Sequence, residues 1–190
     1  MLIQRRTLTQ PNIQPLKIMA TAEKINHHLT ELKGSGFEIV DGQPDITGWD
    51  IKARSGKKIG EVHDLLFEPE TRKVRYLVAD LDDNELDLED DRKVLIPIGI
   101  AELYIKGDKH EKHQDPAYSA YDPADDGNVV YLHNVSAAQL DALPLYEKNH
   151  LSRSVEISIR KIFEAQGNPD NDDFYRHEHF NDDRFYNRKR

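Results

Sequence analysis

The chain has 190 residues, 37% hydrophobic and 32% charged, with 26 Lys and Arg against 35 Asp and Glu and a formal net charge of −9. That balance argues against nucleic-acid binding by phosphate neutralisation, which needs clustered cations, and against docking on an anionic membrane surface. The absence of cysteine excludes disulfides, thiolate metal sites and cysteine catalysis.

No run approaches the ~20 apolar residues of a membrane helix. Arg5 and Arg6 are not followed by the continuous apolar segment of a secretory signal, so a cytoplasmic protein without a membrane span is expected. The composition suits a core of about 100 residues carrying polar arms.

Met1 to Ile18 is polar, contains Pro11 and Pro15 and shows no period, which reads as a disordered leader; Met19 is an alternative start. Thr21 to Lys33 reads as a short helix, with Thr21 as N-cap, Ile25, Leu29 and Leu32 on one face, and Gly34 as the stop. His27 and His28 are adjacent and cannot share a helix face, so they read as surface residues rather than joint metal ligands. Phe37 to Val40 alternates like a strand, and Asp41-Gly42-Gln43-Pro44 turns the chain.

From Gly48 to Leu81, three apolar runs are separated by Arg54-Ser55-Gly56-Lys57 and Glu68-Pro69-Glu70-Thr71-Arg72. Their Val, Ile, Leu, Phe and Tyr content predicts three consecutive antiparallel strands. In Lys73 to Leu81, Val74, Tyr76 and Val78 alternate with Leu77, Ala79 and Leu81, so both faces are apolar, as in a covered barrel strand. Asp80 to Asp91 holds eight acids in twelve residues. Glu85 stands where a calcium loop needs glycine and Asp91 where it needs glutamate, so an acidic hairpin connection is the better reading.

Lys93 to Ile98 is a further strand, and Ile100 to Ile105 a strand or a helical turn. Lys106 to Gly127 is a long polar connection in which His110, His113 and Asp115 have the spacing of metal ligands only if ordered. Asn128 to His133 reads as a strand. Ser136 to Leu143 reads as a helix capped by Ser136 and ended by Pro144. From Ser154 a helical stripe (Val155, Ile159, Ile162, Phe163) competes with strand alternation, and helix is preferred because of its length and the Gly167 and Pro169 stop.

The last 23 positions hold five of the fifteen aromatic residues, Phe174, Tyr175, Phe180, Phe185 and Tyr186, and Asn171-Asp172-Asp173-Phe174-Tyr175 recurs ten residues on as Asn181-Asp182-Asp183-Arg184-Phe185-Tyr186. Disordered tails are usually poor in aromatics. These five are therefore expected to pack on the chain's own barrel, a second subunit or another protein. His177 and His179 would share a face of an extended segment, as two ligands of one ion would, though spacing identifies no third ligand. Packing or partner contact is the competing reading for both.

Several of these stretches together resemble a known family: Gly48-Trp49-Asp50-Ile51, Gly56-Lys57-Lys58-Ile59-Gly60-Glu61-Val62, Asp64-Leu65-Leu66-Phe67, Lys73-Val74-Arg75-Tyr76-Leu77-Val78 and Val94-Leu95-Ile96-Pro97. They resemble a PRC-barrel domain, the small β-barrel of the cytoplasmic part of the photosynthetic reaction centre H subunit, also found in a ribosome maturation factor. The resemblance covers about Asp45 to Ile105, and Asn128 to Leu143 continues it in the H-subunit manner.

It implies a mainly β fold: a small PRC-type β-barrel with short flanking helices (α+β overall) and extended polar N- and C-terminal arms. The corresponding division is a leader at 1–18, a helix and strand at 19–44, the barrel domain at 45–147, and a C-terminal helix and aromatic, charged tail at 148–190. The family has no catalytic residues to carry over, and the resemblance implies no cofactor.

His63 beside Asp64 points to the opposite strand face, and His133 lacks a nucleophile that sequence can identify, so no enzyme is expected. The expected function is a non-enzymatic interaction or assembly module, self-associating as a homodimer or binding another protein through its tail. The alternative, by likeness to the H subunit, is an accessory to electron or proton transfer.

Overall fold

Polar turns and β-branched runs cut the middle of the chain into the expected strands. A computed structural model describes residues 3–5, 28–89, 91–106, 127–164, 174–182 and 185. The strands are β1 (Ile3–Arg5), β2 (Thr30–Glu31), β3 (Phe37–Ile39), β4 (Asp50–Ala53), β5 (Lys58–Glu68), β6 (Lys73–Asp80), β7 (Lys93–Pro97), β8 (Ala101–Tyr104) and β9 (Val129–Leu132), with helices α1 (Ala137–Ala142) and α2 (Arg153–Phe163). The fold is mainly β with two short helices.

Seven strands form one sheet in the order β7-β6-β5-β4-β9-β8, with β2 added on β5, while β1 and β3 form a separate antiparallel ribbon. Among the described residues only the β4–β9 ladder is parallel. The eleven-residue β5 organises the sheet. Its start, Lys58 to Glu61, pairs with β4, Glu61 to Glu68 pairs with β6, and Phe67 pairs with Thr30 of β2. Register shifts at Val62/Asp64 and Leu66/Phe67 bend and twist it, which lets one strand serve three partners.

β6 is buried on both faces, from Val74 through Ala79, as its two-sided apolar pattern requires. The end strands β7 and β8 are consecutive in the chain, joined only by a 3-10 turn, Ile98–Ile100. Among the described residues no ladder pairs them, so no hydrogen-bonded closure of the sheet into a barrel is found.

Two expectations at the N-terminus need correction. Ile3–Arg5 is a strand rather than disordered leader: Ile3 is 1% exposed, and its N–H donates to the Arg72 carbonyl at 3.1 Å. Three residues are too few to show a period.

The end of the expected helix, Thr30–Glu31, is instead β2, and Leu32 N–H continues the pairing by donating to the Leu65 carbonyl at 2.9 Å. Leu29 and Leu32 do pack against the core, but from an extended segment laid on β5. Residues 6–27, and with them the rest of that helix and His27, lie outside the described residues, as do His110, His113 and Asp115.

The acidic connection joins adjacent antiparallel strands as expected, but it is more than a solvated loop. The Asn84 side chain accepts from Leu86 and Leu88 N–H and donates to the Leu81 and Leu88 carbonyls. Leu86 and Leu88 thereby turn inward against the core. Both helices form as expected, each with a serine N-cap. In α1, Ser136 and Gln139 complete a reciprocal capping box, which satisfies two backbone donors that the helix leaves orphaned.

Candidate functional site

The C-terminal tail crosses the seam between β7 and β8, and this seam is the most elaborate composite site among the described residues. Two 3-10 turns, Phe174–Arg176 and Glu178–Phe180, carry it. The second turn lies directly on Gly99. A Cβ at that position would sit 2.2 Å from the Glu178 carbonyl oxygen, so only glycine admits so close a backbone approach. Farther on, Leu103 N–H of β8 donates to the Phe185 carbonyl at 2.7 Å. The tail thus offers β8 an acceptor on the side where β7 makes no ladder.

Three rings anchor it. Phe174, Phe180 and Phe185 are 2%, 3% and 0% exposed. Phe180 stands edge-on to Tyr76 of β6 with centroids 5.3 Å apart, and Phe174 packs on Phe180 at 5.1 Å. The Arg153 guanidinium lies 3.7 Å from the Phe174 centroid and that of Arg160 at 5.2 Å, where the ring face attracts a cation. Of the destinations foreseen for these aromatics, the described ones take the chain's own body: Tyr175 is half-buried and Tyr186 lies outside the described residues.

Beneath the tail sits a buried carboxyl. Glu156 in the first turn of α2 is fully buried. Its Oε1 accepts from the Tyr76 hydroxyl at 3.2 Å and from the Tyr175 hydroxyl. Its Oε2 has no hydrogen-bond partner, although His28 Nε2 and Arg153 Nη1 both stand 3.9 Å away. His28 Nε2 also lies 2.8 Å from the Tyr175 hydroxyl.

Burial pushes the Glu156 carboxyl above the usual carboxylate range, against the opposing pull of Tyr175, His28, Arg153 and Tyr76. The Tyr76 and Tyr175 hydroxyls are pushed up by burial and by the nearby Glu156 charge. Around this group Arg75 stacks over Tyr175 at 4.7 Å and donates to Glu68 at 2.8 Å. The node was not foreseen, yet its signal was present: Glu156 and Arg160 fall at i−3 and i+1 of Ile159, putting ionisable residues beside the apolar stripe of α2.

The structure places His177 and His179 close together, with ring centroids 4.4 Å apart. His179 N–H donates to His177 Nδ1 at 3.2 Å, which occupies one of the two ring nitrogens a metal could use. His177 Nε2 faces Glu164 Oε1 at 3.5 Å, and Glu164 Oε2 accepts from Arg160 at 2.7 Å. Burial and the His177 charge hold the His179 imidazole below its ordinary range. Among the described residues no group of three or more His, Asp or Glu is placed to hold a metal ion.

The other residues considered in the sequence lie apart. Asp64 is buried and accepts from the Leu65 and Lys33 backbone N–H groups, while His63 faces Asp80 at 3.7 Å. Asp64 therefore fastens the turn after β2 to β5 and makes no dyad with His63. His133 pairs with Glu102 at 2.5 Å beside the Tyr131 ring.

No described helix is long and apolar enough to cross a membrane. A family model matches residues 38–111, that of the PRC-barrel domain. No curated protein matches the chain at a significant level.

Proposed function

The chain carries a PRC-barrel domain at residues 38–111, and from that premise we propose that it is a non-enzymatic, cytoplasmic assembly module that associates with a second copy of itself. The observation that carries this reading is the seating of the tail. A segment remote in sequence is recognised by its backbone at Gly99 and Leu103 and by ring sockets at Phe174, Phe180 and Phe185. A site that recognises a peptide segment in this way serves equally well for the same segment of another copy. Exchange of an identical element is a low-cost route to a symmetric dimer.

Each ring buried contributes about 1.5–3 kcal/mol. That gain, with the main-chain bond to β8 and the Tyr175–Glu156 contact, sets against the backbone entropy of ordering the tail.

Light scattering of the full chain over a wide concentration range tests the reading. A dimeric mass that Gly99→Val converts to a monomeric one is expected, because the valine side chain displaces the tail from the seam. A monomeric mass at every concentration, or equal masses for the two proteins, would remove self-association through the tail.

A further inference from the structure

Both terminal segments meet the body of the molecule at one carboxyl. We propose that Glu156 is a proton-operated latch: neutral, it holds the tail and the segment at His28 against the sheet, and ionised, it loosens them. The idea concerns control of the seam and rests on the reading of the tail as the assembling element.

The geometry gives the reason. The polar side chains that face the carboxyl come from four segments: Tyr76 from β6, Tyr175 from the tail, His28 from the segment before β2, and Arg153 from the first turn of α2 itself. The next layer is the Arg75–Glu68 pair, whose guanidinium covers Tyr175. Both tyrosine donors converge on Oε1, leaving Oε2 buried without a donor.

A neutral carboxyl leaves only a single Oε2 hydroxyl without an acceptor there, the cost of one unmade hydrogen bond, which the fold can carry. An ionised one costs more. A buried charge needs donors on both oxygens or access to water, and His28 Nε2 and Arg153 Nη1 at 3.9 Å are too far to donate a hydrogen bond. Tyr175 and His28 are the only members of this set outside the sheet and α2, so moving them aside is the shortest route for water to Oε2.

Burial favours the neutral form in the docked state. Docking is then strongest below the ordinary carboxylate range and weakens as pH rises through the elevated value in the docked state.

Amide hydrogen exchange of the full-length chain, held dilute and corrected for intrinsic exchange, reads the latch over residues 174–182. From about pH 5 to about pH 8, protection of these amides should fall, by up to about tenfold for each pKa unit separating the docked from the released carboxyl. Glu156→Gln keeps an acceptor for both tyrosines and cannot ionise, so its protection should not change with pH. Tyr175→Phe, which cuts the tail's own bond to the carboxyl, should reduce the slope if Glu156→Gln does not fold.

A flat wild-type profile would overturn the proposal. So would an equal slope in Glu156→Gln, or a slope that survives in Glu156→Gln and vanishes in His28→Ala, which would make the imidazole the titrating group. Light scattering of the same samples separates the two ideas: a monomer with an intact slope sinks the assembly reading and leaves the latch.

Discussion

Glu68 and Glu156 are carboxyls of one fold pushed in opposite directions. At Glu68 burial pushes upward, but hydrogen bonds from Thr71 and Arg75 outweigh it and hold the group below the usual range. The stability Glu68 contributes is therefore present above the ordinary carboxylate range and is lost as pH falls through its lowered value. Glu68→Gln should lower the urea midpoint near neutral pH, and the gap from wild type should close in acid; a gap constant with pH would mean the charge is irrelevant. Asp64, raised by burial despite the Leu65 and Lys33 N–H bonds, behaves like Glu156, and its contribution fades as pH rises. None of these directions was legible in sequence, because burial and partners such as Arg75 for Glu68, Lys33 for Asp64 and Tyr76 for Glu156 come from residues 7 to 80 positions away.

At the scale of elements, legibility followed signal length. α2 was readable because its eleven residues carry a full apolar stripe, and α1 because Ser136 marks its start and Pro144 its end, while the Ser152 cap and the part of Gln139 in the capping box emerged only from the structure. The extended hairpins were readable from turn chemistry. What failed was short: β1 and β2, three and two residues long, exist only because β3 and β5 offer them partners.

One glycine shows how tightly those elements meet. Gly60 has φ 154°, and a Cβ there would lie 2.0 Å from the Asp80 carbonyl oxygen, where β5 passes the end of β6. Gly60→Ala should cost about 3 kcal/mol or more through backbone strain, read as the shift in a denaturation midpoint. A shift below about 0.5 kcal/mol, the level of a neutral surface change, would show that the crossing relaxes freely.

For the molecule as a whole, the question is how the tail and the sheet depend on each other. Most of the buried core comes from the sheet, between Ile46 and Leu132, and Phe174, Phe180 and Phe185 of the tail join the same cluster, seated against β6, α2, β8 and the Ile98–Ile100 turn. Phe180→Ala should therefore cost the docked tail about 3–5 kcal/mol, the usual range for a buried phenylalanine. Limited proteolysis should then cut near residue 180 many times faster while far-UV circular dichroism of the sheet is unchanged. Loss of the sheet signal along with the tail would mean that the two fold as a single unit.

The amino-acid sequence alone determined the strand-rich centre, both helices with the Ser136 cap of the first, and the likeness to a PRC-barrel domain, because turn residues and two- or 3.6-residue periods act within a few neighbouring positions. Tertiary structure decided that β7 and β8 do not pair and that the tail lies across the gap between them on Gly99. It also decided that a glutamate on α2 is sealed in with two tyrosines from distant segments. These outcomes depend on which surfaces meet once the chain has collapsed, and no local pattern encodes a contact between residues 99 and 178 or between 76 and 156.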